Sequence, residues 1–282
     1  MLRRYVSAVA AATLGGLAMT GCSGAPPSGP DLAEAGAGTS RTGSTTARSA
    51  AVRTVATKAA AAKKIVVVLD PGHNGGNAAH PEVINKLVPA GGFKKPCNTT
   101  GTATNSGYSE HAFTWDVAKR TARILRKHGV TVVFTRKTDT GVGPCVNKRA
   151  AIGNKKKADL VVSIHGDGAS SGVRGYHVIE PALSPDKKNR KILKPSAVAA
   201  RDLLAAFGKA TKEPRARYPG AKVKPGLTKR NDLAGLNLSR VPAVFIECAN
   251  LRNAKDAAKV RSAAWRQKAA RGIADGILAY VR

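Results

Sequence analysis

The chain has 282 residues, of which 43% are hydrophobic and 23% are charged. This length and composition predict a globular protein with a sizeable core and exclude a wholly disordered chain. The formal net charge is +30, and residues 1–63 contribute only +5 of it. The basic surface therefore belongs mainly to residues 64–282. It predicts polyanionic surroundings, such as nucleic acid, anionic lipid or an acidic cell-wall polymer.

Residues 1–22 have the pattern of an export signal. Arg3 and Arg4 precede an alanine-rich apolar segment, Tyr5–Met19, which is short for a membrane span. The segment ends in Thr-Gly before Cys22, which resembles a bacterial lipobox whose cysteine is lipidated. We therefore expect an exported protein that is either anchored to the membrane through Cys22 or secreted to the cell wall. Export makes nucleic acid an improbable partner.

Residues 23–63 are rich in Ser, Gly, Pro, Ala and Thr and show no apolar period. Such a composition is typical of a flexible linker. The remaining residues, 64–282, are then expected to form one globular domain.

The other cysteines fit an oxidising compartment. Cys97 and Cys145 lie in Gly/Pro-rich loops, whereas Cys248 ends an apolar run and is expected to be buried. A Cys97–Cys145 disulfide is the natural pairing in an exported protein. The alternative is that both loop cysteines stay free.

Hydrophobic periodicity predicts alternating strands and helices from residue 64 onwards. The predicted strands cover residues 65–69, 131–135, 159–164, 173–179 and 241–246; the predicted helices cover 110–127, 148–154, 197–209 with Ser196 as its cap, and 254–281 with a break at Ser262. Residues 78–107 are expected to form a long surface excursion with a hairpin near 88–93. This order predicts a single α/β domain with a mostly parallel twisted sheet of about six strands and helices on both faces.

Four ionisable side chains fall at the ends of these elements. His73 and His165 each follow a buried strand, Glu110 opens the first helix, and Glu247 follows the last strand. Taken singly, each has an ordinary explanation, such as an exposed turn histidine or a glutamate favoured by the helix dipole. The carboxyl ends of parallel strands, however, meet at one edge of a sheet, so we expect these groups to lie together. Two imidazoles and a carboxylate form a common catalytic zinc set, and a further carboxylate can transfer protons.

Four ordered segments then resemble a known family. LDPGHNGG, SEHAF, TRKTD with NKRAAIGNKKKADLVVSIHGDG, and KRNDLAGLNLSRVPAVFIECANLRN are similar to the zinc-dependent N-acetylmuramoyl-L-alanine amidases of the Amidase_3 type. The resemblance covers about residues 64–282. It implies that His73, Glu110 and His165 bind zinc and that Glu247 is the catalytic glutamate. It also implies a doubly covered α/β sheet and cleavage of the amide between N-acetylmuramic acid and L-alanine in peptidoglycan.

The sequence departs from the family pattern beside both histidines. The first loop reads GHNGGN rather than GHGG, and the second motif reads HGDG rather than HAN. The ligands are retained, so the departures concern substrate fit, and Asn77 and Asp167 become candidates for contacts behind the ligands or with substrate. Arg230 is a candidate for contact with the anionic peptide, although a plain surface role fits it equally. We expect the loop 78–107 to border the substrate groove.

These observations predict a monomeric zinc amidase that acts on peptidoglycan or on smaller muropeptides. One alternative is a non-catalytic wall-binding lipoprotein that retains the fold. Another is a zinc peptidase or deacetylase that acts on a different wall substrate. A nucleic-acid binder is disfavoured by the export signal and by an aromatic content of only 4%.

Overall fold

The computed structural model describes residues 64–217 and 225–282. The predicted signal segment 1–22, including Cys22, and the linker 23–63 lie outside the described residues. The strands are β1 (Val66–Pro71), β2 (Leu87–Pro89), β3 (Lys94–Pro96), β4 (Thr131–Phe134), β5 (Leu160–Asp167), β6 (His177–Pro181), β7 (Leu227–Arg230) and β8 (Ala243–Asn250). The helices are α1 (Pro81–Ile84), α2 (Glu110–Lys127), α3 (Val146–Lys155), α4 (Leu193–Thr211), α5 (Ala234–Asn237), α6 (Ala254–Arg261) and α7 (Ala263–Val281).

Six strands form one sheet in the order β4-β1-β5-β8-β6-β7. All neighbouring pairs are parallel except β6 and β8, which run antiparallel. The predicted single α/β domain with a mostly parallel six-stranded sheet is therefore confirmed. The carboxyl ends of β1, β5 and β8 lie side by side, as the sequence predicts.

The two faces of the sheet are covered unequally. Helices α2, α4 and α7 pack over one face and enclose the larger core, which includes Leu69, Ile164 and Ile246. The other face carries α3 and α5 over a small apolar cluster that includes Val68 and Leu236. Val146 of α3 and Ala234 of α5 line a cavity at the carboxyl ends of the central strands.

Helix α2 has the predicted bounds and places Glu110 in its first turn. Phe113, Val117 and Thr121, spaced four residues apart, are fully buried, so this side of the helix faces the core. Gly129 ends the helix with a φ of +78°, the left-handed conformation that glycine adopts without strain. In the described part of the chain, no helix combines the length and apolar character that crossing a membrane would require.

Two strand boundaries differ from the prediction in a way that matters for the site. Strand β5 continues to Asp167 and β8 continues to Asn250, so His165 and Glu247 lie within strands instead of after them. The polar residues keep the strand conformation because the two strands remain paired there, with His165 opposite Glu247. The apolar run alone therefore ended the predicted strands too early.

Three further elements correct the prediction. The fourth predicted strand begins at His177, four residues later than expected, and the basic strand β7 was missed. Helix α4 begins at Leu193, so Ser196 is not its cap; its buried hydroxyl accepts a hydrogen bond from the Ala243 N–H. Ser262 does separate the last two helices, as predicted, and its side chain caps α7.

The excursion at residues 78–107 is ordered by local contacts and one covalent link. Its predicted hairpin is present as the antiparallel pair β2 and β3. The Cys97–Cys145 disulfide is confirmed and ties the end of this hairpin to the start of α3. Cys248 is buried and free, as predicted.

Candidate metal centre and active site

The structure brings His73, Glu110 and His165 together at the carboxyl ends of β1 and β5. Glu110 Oε1 lies 3.1 Å from His73 Nε2 and 3.0 Å from His165 Nδ1. One potential ligand atom from each of the three residues lies within 4.8 Å of the others. The two imidazole rings are nearly perpendicular, with their centroids 5.1 Å apart. Three side chains that are far apart in the sequence thus point at one position.

Each histidine is held by its other ring nitrogen. His73 Nδ1 lies 3.1 Å from the carbonyl oxygen of Thr99, which can only accept, so Nδ1 donates and the lone pair is on Nε2. His165 Nε2 lies 3.1 Å from Ser163 Oγ, whose own proton goes to Asp70 Oδ2 at 2.6 Å. His165 therefore donates from Nε2 and directs the lone pair of Nδ1 towards Glu110. Such contacts fix the tautomer and orientation of a metal-binding imidazole.

A buried ion pair between Asp70 and Arg149 holds both histidines in place. Asp70 Oδ1 accepts a hydrogen bond of 2.7 Å from Arg149 Nη1, and Arg149 Nη2 donates to the His73 carbonyl oxygen at 2.7 Å. Burial favours the neutral form of Asp70, but Arg149, Ser163 and Thr135 outweigh it and lower the pKa of Asp70 to about 2. The carboxylate is therefore charged at neutral pH and connects His165, through Ser163, with the loop that carries His73.

Close approach at the site requires two glycines. A Cβ atom at Gly72 would lie 2.3 Å from His165 Cε1. A Cβ atom at Gly101, where φ is +81°, would lie 2.9 Å from both Glu110 Oε2 and the His73 ring. His73 itself has a φ of +58°, which is uncommon for a residue with a side chain. The turn after β1 is therefore shaped to present the imidazole of His73.

The three ligand candidates also stabilise each other electrostatically. Burial raises the pKa of Glu110, but His73 and His165 outweigh burial and hold it well below its usual range. Burial lowers the pKa of His73, whereas Glu110 acts in the opposite direction and raises it overall. Two backbone N–H groups, from Thr102 and Gly166, also bind the Glu110 carboxylate. Glu110 is thus a charged oxygen donor at neutral pH.

Glu247 lies beside this cluster in a different environment. It pairs in register with His165 on one side and with His177 on the other. Its Oε2 is shielded from solvent and has no hydrogen-bond partner within residues 64–217 and 225–282. Burial, followed by Glu110 and Asp167, raises the pKa of Glu247 well above its usual range, and Arg230 opposes this only in part. A raised pKa makes a carboxylate a stronger proton acceptor, as a general base requires.

The triad and Glu247 open into one cavity of about 280 Å³. Asp167 and Arg230 line this cavity, and their contact with substrate stays a prediction. Asn77 does not: it is fully buried, donates to the Thr99 carbonyl at 2.8 Å and accepts from Gly143 N at 2.8 Å. The interpretation of Asn77 as a substrate contact is therefore corrected, since it lies behind His73 and acts on it through Thr99.

Asn74, the residue by which GHNGG differs from the family pattern GHGG, also points away from the cavity. Asn74 is buried, and its side chain binds Gly143 O and Gly75 N. The two asparagines of GHNGGN, Asn74 and Asn77, therefore anchor the loop and do not block access to the triad. Asp70, Ser163 and Arg149 were not predicted from the sequence. Their one signal was a polar side chain at positions where strand or helix residues are expected to be apolar.

The residues present fit a metal ion such as zinc. Two imidazole nitrogens with free lone pairs and one charged carboxylate oxygen converge on the same point, and a cation there would balance them. Histidine nitrogen and carboxylate oxygen are the donor types that zinc uses in catalytic sites. His73 Nε2, His165 Nδ1 and Glu110 would hold the ion.

Comparison with known proteins agrees with this geometry. The family model for N-acetylmuramoyl-L-alanine amidase matches residues 67–279. An N-acetylmuramoyl-L-alanine amidase of Mycobacterium tuberculosis is 39% identical over 220 residues, which cover 77% of this chain and 86% of the relative. Solved N-acetylmuramyl-L-alanine amidases of Mycobacterium smegmatis and Mycobacterium abscessus are 39% and 40% identical, each with a TM-score of 0.70 and 77% coverage of this chain; 96% and 99% of those chains are covered. The chain therefore belongs to the N-acetylmuramoyl-L-alanine amidase family.

Proposed function

We propose that this amidase is a zinc-dependent peptidoglycan hydrolase that cleaves the amide between N-acetylmuramic acid and L-alanine. His73, Glu110 and His165 bind the metal, and Glu247 is the general base and acid. The observation that carries the proposal is the pairing of the converging triad with a shielded, unpartnered carboxyl oxygen on Glu247 in the same cavity.

Zinc bound at the triad would polarise the scissile carbonyl and lower the pKa of water to about 7. The protein supplies proton transfer through Glu247. Its Oε2, which has no hydrogen-bond partner among the described residues, accepts a proton from the attacking water and then delivers it to the nitrogen of the departing L-alanine. Because its surroundings favour the protonated state, Glu247 can hold this proton between the two steps.

The Asp70–Arg149 pair keeps the ligands in place throughout this cycle. Ser163 links Asp70 to His165 by hydrogen bonds. The hydrogen bond from Arg149 to the His73 carbonyl fixes the backbone of His73. Preorganised ligands need no rearrangement when substrate arrives, which is a general requirement for efficient catalysis.

Product analysis tests the reaction directly. Purified protein with zinc should release peptides that begin with L-alanine from peptidoglycan and leave the glycan chains intact, as measured by mass spectrometry. Chelation should abolish release, and added zinc should restore it. A peptidase would instead give internal peptide fragments, a deacetylase would give glycans that lack acetyl groups, and a non-catalytic wall-binding lipoprotein would give no product.

We also propose that residues 1–22 direct export, that Cys22 is lipidated, and that the linker 23–63 connects this membrane anchor to the catalytic domain 64–282. The sequence pattern supports this organisation, and relatives named as cell wall amidases are compatible with an exported enzyme. A Cys22→Ala variant should move from the membrane fraction to the soluble fraction while cleaving peptidoglycan normally. Light scattering after gel filtration should give the mass of a monomer, and parallel assays on polymer and muropeptides should show which is preferred.

A further inference from the structure

The cavity has a positively charged rim on the side formed by the hairpin β2–β3 and strand β7. Three basic side chains line the cavity: Lys95, Arg149 and Arg230. They differ in whether their donors are still available to a ligand. That difference identifies which of them can recognise substrate.

Arg149 is fully engaged within the protein. Its guanidinium offers five N–H donors, and five hydrogen bonds between 2.7 and 3.1 Å use them. It is buried, with an exposed fraction of 5%. Arg149 therefore serves the structure and cannot bind an anionic ligand without losing these contacts.

Lys95 and Arg230 keep donors that form no hydrogen bond with residues 64–217 and 225–282. Lys95 Nζ donates one hydrogen bond of 3.1 Å, to the carbonyl oxygen of Asp232. Arg230 pairs with the Asp232 carboxylate, with 2.8 Å between Nε and Oδ1. Both side chains of this pair are about half exposed, 46% and 52%, so solvent weakens their attraction and a second carboxylate can compete for Arg230.

The charges at this rim do not cancel. Arg230 pairs with the Asp232 carboxylate, whereas Lys95 binds the backbone carbonyl of Asp232, so among the described residues two cations face one carboxylate at this rim. Burial lowers the pKa of Lys95, Asp232 opposes the shift, and Arg230 lowers it further, so the two cations are close enough to repel each other. An additional anion between them would relieve that repulsion. Glu110, Asp167 and Glu247 also line the cavity, and Asp167 and Glu247 attract Arg230.

We propose that Lys95 and Arg230 form a subsite for a free carboxylate on the peptide part of the substrate and so determine specificity. The inference rests on the proposed amidase function and extends it to a substrate class. The glutamate that follows L-alanine in peptidoglycan carries an α-carboxyl group that is either free or amidated. The subsite predicts that this enzyme prefers the free acid over the amide, because charged hydrogen bonds are stronger than neutral ones.

Two matched substrates test the proposal. They are N-acetylmuramoyl-L-alanyl-D-glutamate and the corresponding D-isoglutamine compound, both with the γ-carboxyl capped as the methylamide, so that only the α-group differs. With zinc present, wild-type enzyme should cleave the acid with a kcat/KM about tenfold higher. The difference should lie in KM, because a carboxylate away from the reacting bond is bound equally in ground and transition states.

Variants then assign the preference to the two residues. Lys95→Gln and Arg230→Gln should each reduce the preference, and the double variant should abolish it by raising KM for the acid to the value for the amide. Lys94→Gln is the matched control, since Lys94 is the exposed neighbour on the same strand and does not line the cavity; it should behave as wild type. Arg230→Lys, which keeps the charge, should retain part of the preference.

The outcomes distinguish failure of the subsite from failure of the proposed amidase function. Equal cleavage of both substrates by wild type, or an acid preference that persists in the double variant, would overturn the subsite and leave the amidase function standing. Cleavage of neither substrate by zinc-loaded wild type would refute the proposed function and the subsite with it.

Discussion

The Asp70–Arg149 pair gives the sharpest test of how this site is supported. In an Asp70→Asn variant, the buried guanidinium of Arg149 keeps its carbonyl contacts but loses the charge that balances it. In the folded protein the pKa of Asp70 falls from 3.8 to about 2. At 1.36 kcal/mol per pH unit this corresponds to about 2 kcal/mol of stability. Because an unpaired buried charge costs roughly 3–5 kcal/mol, we expect a loss of about 3 kcal/mol at pH 7.

The pH dependence has a defined sign. Because the pKa of Asp70 is lower in the folded state, its contribution is complete above the unfolded-state pKa of about 4. It is lost as the pH falls through about 2. The stability difference between wild type and Asp70→Asn should therefore be constant from pH 7 to about pH 5 and shrink towards pH 2.

Urea unfolding followed by tryptophan fluorescence measures this difference, with a chelator present so that metal binding does not contribute. Asp116→Asn is the matched control, because Asp116 pairs with Arg120 and Arg266 at a partly exposed position. It should cost less than about 1 kcal/mol. An Asp70→Asn loss no larger than this, or a loss that does not change between pH 5 and pH 2.5, would show that the pair does not support the site.

Three further predictions concern catalysis, metal binding and the disulfide. Glu247→Gln should lower kcat by about 100-fold or more while zinc content, measured by atomic emission, stays at one ion per chain; a normal rate would exclude Glu247 as general base. His165→Ala should lose zinc and activity together, and calorimetric titration with zinc should show affinity reduced far more than in Lys94→Gln. Cys97→Ser should destabilise the domain by about 4 kcal/mol in the chain-entropy picture, because the cross-link spans 48 residues; an unchanged melting temperature would contradict this.

The triad was predictable because each member belongs to a recognisable local pattern. His73 follows an apolar run and a Pro-Gly turn, Glu110 opens an amphipathic helix, and parallel strands bring such ends to one edge. The buried residues that support the triad were not predictable in this way. The partners Asp70 and Arg149 are 79 positions apart, and no periodicity relates a polar residue at a strand end to one in a later helix.

Of the two subsite residues, Arg230 was a candidate from the sequence and Lys95 was missed. Strand β7 reads LTKR, which has the composition of an exposed basic segment, and it pairs only with β6 at the edge of the sheet. Lys95 lies on a three-residue strand in a Gly/Pro-rich excursion. Short edge strands carry little hydrophobic signal because tertiary pairing, and not their own composition, defines them. Charge alone therefore suggested Arg230 and gave no reason to select Lys95.

Strand register is what turns these separate patterns into one site. Paired residues in neighbouring strands project to the same face, and residues two positions apart on one strand do so as well. His165 and Glu247 are such a pair, and Phe245, two residues before Glu247, stacks on the His165 ring with centroids 5.2 Å apart. Between them, Ile164 and Ile246 are also paired and are fully buried on the opposite face. A shift of one residue would expose these isoleucines and bury the site residues, so burial of the larger core fixes the position of the catalytic groups.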